Sequence, residues 1–238
     1  MERFVDRDLT GVEFRECVLN GSRLIGVVMQ DAEIDGLVTN LVVNGVEVMP
    51  YVEAELDRRH PVRLLIRSDQ PDDLREAWRQ LREDWATTNE RVRSMPGNSE
   101  HHGVDGEWSM VETQRHLVFV HDSWFQRCVL GLTEPFTAMG LGPPSVMDQE
   151  DGLDPSAQPS LDEVLAVRVR QASEIETWLA EVTPDQLAKT APVPDDDRWP
   201  PYAKGRTVRQ CLGTVLDEEW AHHRFCKRDL DKLSHQGS

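Results

Sequence analysis

The sequence contains no run of about 18 apolar residues, so a transmembrane helix is not expected. Cysteine is scarce and scattered. Cys17, Cys128, Cys211 and Cys226 lie far apart with no Cys-x-x-Cys among them, which argues against a disulfide framework and reads as four reduced thiols. Positive charge is also in deficit. Lys and Arg total 26 against 43 Asp and Glu, a net charge of −17, so no basic face is available to neutralise phosphates or to dock on an anionic membrane. Neither nucleic acid nor membrane is therefore an expected partner. The opening Met1-Glu2-Arg3-Phe4-Val5-Asp6 has no apolar leader region, and a cytoplasmic location is the expectation. His-Glu-x-x-His, glycine-rich phosphate loops and Gly-x-Ser-x-Gly are all missing, so three common catalytic designs drop out. What remains is 39% hydrophobic residues and seven tryptophans in 238 residues, enough to build a packed core.

The first fifty residues repeat every five. Phe4, Leu9, Phe14, Leu19, Leu24, Met29 and Ile34 are all large and apolar, and small or apolar residues precede five of them by two positions. A helix would repeat near 3.6 and a strand at 2, so this period signals internal repetition. Asp8-Leu9-Thr10-Gly11 and Val18-Leu19-Asn20-Gly21 resemble the pentapeptide-repeat family. That resemblance implies a right-handed square β-helix, four repeats to a coil, with the central residue pointing inward. Seven repeats make fewer than two coils, so the segment is expected to lean on the domain C-terminal to it. Beyond it, Asn44-Gly45 reads as a two-residue hairpin turn, and Tyr51–Leu56 as a short helix ending before Pro61.

The remainder reads as helical. Asp72 or Asp73 is the expected cap of a first long helix, with Leu74, Trp78, Leu81 and Trp85 as its apolar stripe and Pro96-Gly97 as its stop. Ser109 and Glu112 form a capping-box pattern for a second helix reaching Leu132. Ser160 caps a third, Leu161–Val182, whose stripe is interrupted by Arg168. The simpler reading of Arg168 is a packed stem with its charged head in water; the sharper one is a pair with a buried carboxylate. Thr207 precedes a fourth helix, Val208 to about Leu233. Two long connections, Thr133–Pro159 and Lys189–Arg206, separate the last three helices. The expected domains are a repeat segment over 1–50, a connector with a short helix over 51–71, and a mainly α four-helix bundle over 72–238.

Polar residues in apolar stripes carry the chemistry. On the fourth helix, His222 falls within roughly 20° of Val215, the centre of the stripe, and Glu218 and Glu219 flank it within roughly 60°. Burying an unpaired carboxylate costs several kcal/mol, so a partner or cation is implied. Glu218 and His222 stand four apart on one face, a spacing that can chelate a metal or simply form an ion pair. On the second helix, His116 and His121 compete as a third ligand. Of His222-His223, only His222 is expected to face inward. Cys226, one turn beyond His222 on the same face, reads as a small buried hydrophobe or, alternatively, a fourth ligand, and His101-His102 as solvated loop residues.

Glu107-Trp108-Ser109, Glu112-Thr113, Arg115-His116-Leu117 and Glu218-Glu219-Trp220-Ala221-His222 together resemble the DinB-like (YfiT-like) metalloprotein superfamily over about residues 70–235. The resemblance implies a four-helix bundle and a divalent metal, zinc, nickel or iron, held by His116, Glu218 and His222. The family pattern has histidine where this chain has Glu218, giving two histidines and one carboxylate. It further implies a metal-dependent S-transferase or isomerase using a low-molecular-weight thiol of the mycothiol type, a small-molecule substrate, and a homodimer. Trp124, Phe136 and Trp199 are candidate lining for the substrate mouth, with core packing the alternative for Trp124. The other readings are a non-enzymatic metal- or small-molecule-binding stress protein, and an interaction module working through the pentapeptide segment.

Overall fold

The computed structural model describes residues 3–15, 17–147 and 150–236. Met1 and Glu2, at the start of the segment tested for a leader, and the last two residues of the expected bundle span lie outside them. The chain divides into two compact units, Met1–Met49 and Pro50–Ser238.

In the first unit the period of five appears in the backbone. Asp6, Gly11, Gly21, Gly26, Asp31 and Gly36 all have positive φ. Residue 16, which would complete the series, is outside the described residues. Glycine adopts this conformation freely and aspartate tolerates it better than most residues. The turns close through Val12 N–H to Leu9 C=O and Ser22 N–H to Leu19 C=O, both 3.1 Å. Among the described residues from Arg3 to Asn40 no strand forms, and all seven period-five apolar side chains are 44% to 64% exposed. Among the described residues of this unit a closed apolar column is therefore not formed. The unit ends in a two-stranded hairpin, β1 (Val42–Val43) and β2 (Val46–Glu47), with Val43 opposite Val46. Asn44 and Gly45 both take positive φ, as a type I′ turn requires.

The second unit is helical: α1 (Met49–Arg59), α2 (Val62–Ile66), α3 (Pro71–Arg93), α4 (Met110–Val120), α5 (Pro144–Met147), α6 (Leu161–Glu181), α7 (Pro184–Ala188) and α8 (Val208–Gln236). Helix α3 begins slightly earlier than its sequence suggests. Pro71 occupies the first helical position after Gln70, and Asp72 and Asp73 lie inside the first turn, where carboxylates favour the positive end of the helix dipole. Ser109–Glu112 and Ser160–Glu163 form complete capping boxes at α4 and α6. The second helix is not uniform. After Val120 the backbone widens into a π-helix over His121–Val129, with Leu130 N–H reaching Phe125 C=O at 3.0 Å.

The four long helices pack on one another as a bundle, in which α4 and its π-helical continuation lie against α6 and α8. Between Ser109 and Val129 only Glu112 and Gln126 escape burial. The core falls into three apolar clusters, two of them large. One holds Leu74, Leu81, Phe125, Ile175, Leu179, Leu212 and Leu216; the other holds Trp85, Leu117, Val118, Val164, Cys226 and Leu230. Each such side chain contributes roughly 1.5–3 kcal/mol by leaving water. Between these two clusters α6 and α8 carry polar residues. Arg168 falls between Val164 and Ile175, and Glu218, Glu219 and His222 fall between Leu216 and Cys226. No helix among the described residues is long and apolar enough to cross a membrane.

Candidate metal centre

His116 from α4 meets Glu218 and His222 from α8. Glu218 Oε2 lies 3.1 Å from His222 Nε2 and 3.6 Å from His116 Nε2. One donor atom from each residue lies within 4.8 Å of the others, and among the described residues these three form the one such group. The two imidazole centroids are 4.6 Å apart. Helical spacing explains the Glu218–His222 half, since residues four apart share a face. Packing of α4 against α8 supplies His116.

The neighbours of His116 fix its orientation. Its Nδ1–H donates to the carbonyl of Leu141 at 3.1 Å, which leaves Nε2 free to act as a ligand. Leu141 belongs to the long Thr133–Pro159 connection, and Arg115 holds that connection in place. Its guanidinium donates to the carbonyls of Met139 (3.2 Å), Ala157 (2.7 Å) and Asp154 (2.9 Å). Gly142 lies so near Phe119 that a Cβ there would stand 3.1 Å from the ring. Arg115 thus has a positioning role that sequence reasoning missed; the signal was a charged residue immediately before the candidate ligand. Trp108 covers the pair of imidazoles, 4.7 Å from His116 and stacked within 18° of His222 at 6.0 Å.

The electrostatics suit a cation. Burial pushes His116 below its ordinary value, against the pull of Glu218, which favours the neutral imidazole. Burial also pushes the Glu218 carboxyl up, but the two imidazoles beside it, His116 and His222, override this and hold it at about 2. Neutral imidazoles and an ionised carboxylate are the forms that bind metal. Two nitrogens and one oxygen form a donor set that fits zinc, iron or nickel and leaves further positions open. The site also has an open side, with 36% of the Glu218 side chain exposed.

The other candidates lie elsewhere. His121 is only 1% exposed and sits in the π-helix between Asp122 and Glu174. His223 is buried, correcting the expectation that only His222 faces inward. Its Nε2 is 2.8 Å from Thr88 Oγ1, and its ring lies edge-on to Trp85. Arg168 does not reach water. Its Nη2 donates to both oxygens of Glu219, at 2.6 and 2.7 Å, and its Nε donates to Gln114 at 3.2 Å. The sharper reading of Arg168 is the correct one, because Glu219 points into the same buried layer. Cys226 is packed among apolar residues, and burial pushes its thiol up to about 12. His101 and His102 are exposed. Phe136 stacks on Phe119, the neighbour of His116, with Trp199 packed against the same cluster, while Trp124 is core.

A bundle of this helix order with a histidine–carboxylate centre defines a class of metal-binding helical proteins. A family profile described as the DinB superfamily matches residues 69–226, and the chain belongs to that superfamily, whose members bind metal in general. Comparison with curated proteins and with solved structures gives no match.

Proposed function

We propose that the chain is a metal-dependent enzyme of YfiT-like character that transfers a low-molecular-weight thiol of the mycothiol type to an electrophile, or uses such a thiol to isomerise a small molecule. The observation carrying this reading is the convergence of His116, Glu218 and His222 at a site with one open side. A divalent metal held there supplies Lewis acidity, making a bound thiol far more acidic than a free one. The chain's own residues do the rest. Leu141 fixes the His116 tautomer, Arg115 fixes Leu141 through the connection, and Trp108 shields the two imidazoles from water. Glu218 would lower the positive charge of a bound metal relative to a three-histidine site, and a thiol held there would be a somewhat weaker acid than at such a site. Phe119 and Phe136 extend the apolar surface beside His116 toward Trp199, where an apolar electrophile would lie.

The first unit is proposed to be a short pentapeptide-repeat segment. Positive φ at five-residue intervals supports this, whereas the seven half-exposed apolar side chains favour a second role as a protein-interaction surface. A cytoplasmic homodimer acting on a small molecule, with no nucleic-acid or membrane partner, completes the proposal; the −17 net charge supports the last two points.

The test is elemental analysis of protein purified without a histidine tag, alongside thiol consumption with mycothiol and glutathione against a panel of electrophiles. Stoichiometric metal and metal-dependent turnover are expected. Turnover in metal-free protein overturns the mechanism. Full metal occupancy without turnover by any thiol favours a non-enzymatic binding protein.

A further inference from the structure

A second polar site lies in the π-helix, away from the metal centre. His121 is 1% exposed, yet neither ring nitrogen makes a proper hydrogen bond. Its Nδ1 stands 3.6 Å from Asp122 Oδ1 and its Nε2 stands 3.3 Å from Glu174 Oε2. Two carboxylates thus face one imidazole; burial pushes the Asp122 carboxyl above its ordinary value, so the negative charge of the group rests chiefly on Glu174. Among the described residues no lysine or arginine pairs with Asp122 or Glu174. The His121 imidazole beside it holds Glu174 below the usual carboxylate range, so it is an anion at neutral pH.

A cleft of about 780 Å³ opens beside this group, within the size range of ligand sites. Asp122, Glu174 and Gln171 contribute to its lining, and so do Phe125 and Trp178, whose rings meet edge to face at 5.7 Å. Gln171 is 6% exposed. Its Nε2 donates to Asp122 at 2.8 Å, but its Oε1 is buried with no donor. A buried acceptor without a donor is rare and calls for an explanation. Arg170 also lines the cleft and pairs with neither carboxylate. The surplus on the lining is thus of acceptors and negative charge, set against an aromatic wall. π-Helical turns are frequent at functional sites, and this one places His121, Asp122 and Phe125 together.

We propose that this cleft binds a small primary ammonium compound with an aromatic or apolar body, the ammonium donating to Glu174, Asp122 and Gln171. The proposal is independent of the thiol chemistry at the metal centre.

The experiment is titration calorimetry of the full, metal-loaded chain at neutral pH with 2-phenylethylamine, and with 2-phenylethanol and phenylacetate as neutral and anionic counterparts. The amine is expected to bind at least about tenfold more tightly than either counterpart. Glu174→Gln removes the charge and Thr177→Trp fills the cleft, and each is expected to weaken amine binding by at least about tenfold. Glu174 and Thr177 are both partly or largely exposed, so each variant is checked for folding by circular dichroism. His116→Ala is expected to leave amine binding unchanged. Equal binding of the alcohol, no effect of Glu174→Gln, loss of binding in His116→Ala, or no amine binding up to about 10 mM each overturns the proposal.

Discussion

Helix α8 carries one sequence pattern twice. In Glu218-Glu219-Trp220-Ala221-His222-His223, two acid–histidine pairs at four-residue spacing are offset by a single residue. One residue on a helix is about 100°, so the pairs face different neighbours. Glu218 and His222 meet His116 at an open-sided cluster. Glu219 and His223 meet Arg168 and Thr88 in the buried layer between the two large apolar clusters. The first carboxylate is about a third exposed and faces two imidazoles, while the second is 2% exposed and locked to a guanidinium. The same chemistry yields a candidate metal centre on one side of the helix and a structural ion pair on the other, and the facing residue decides which.

Breaking the metal side gives the largest expected change. His116→Ala should abolish metal binding, and thiol turnover with it, while the bundle remains folded, because His116, though buried, belongs to none of the apolar clusters that hold the helices together. Metal content and far-ultraviolet circular dichroism read the two effects separately. Loss of fold would put His116 on the structural side.

The opposite face responds in stability. Glu219→Ala leaves the Arg168 guanidinium buried without its carboxylate and should cost about 3–5 kcal/mol. Replacing both partners, Arg168→Met with Glu219→Leu, should recover most of that loss, since an apolar pair of similar volume carries no desolvation penalty. Denaturant titration measures both. A double variant as unstable as the single one would show that the pair itself supplies the stability.

Glu218→His sharpens the contrast from the other direction. It restores the commoner ligand pattern, and affinity for zinc, nickel and copper is expected to rise by about tenfold or more, with little change in melting temperature. Competition with a chromogenic chelator reads the affinity.

The smallest effect is pH-dependent and concerns His121. Burial opposes its protonation, but Asp122 and Glu174 raise it above its ordinary value of 6.5. A base with a raised folded pKa stabilises the fold fully below its unfolded value, and that stabilisation disappears as pH rises through the folded value. The melting-temperature difference between wild type and His121→Gln should therefore be largest below pH 6.5 and should shrink as the solution becomes alkaline. A difference that grows with pH would reverse the assignment.

Much of the bundle is legible in the sequence because it is local. The capping boxes at Ser109 and Ser160, the hairpin turn at Asn44-Gly45 and the stripe from Leu74 to Trp85 each rest on residues within a few positions of one another. Periodicity also marks His222 and Glu218 as polar residues in an apolar stripe, and the five-residue repeat reappears in the backbone φ values. Period alone does not reveal whether the repeat's apolar side chains are covered, and all seven remain exposed.

What the tertiary structure decided is which distant group faces each polar side chain. Arg168 looked free to reach water because Glu219 lies 51 residues away. His223 looked outward because Thr88 belongs to another helix. His121 stands five residues from His116, roughly 140° round the helix, so it faces away from the metal centre, and only the packing of α6 brings Glu174 to it. By itself the sequence determined which segments become helices and which of their positions carry polar groups, since both depend on local propensity and spacing. Whether a carboxylate on α8 meets an imidazole or a guanidinium depends on helix packing, since burial leaves an ion only the partners that neighbouring helices bring to it.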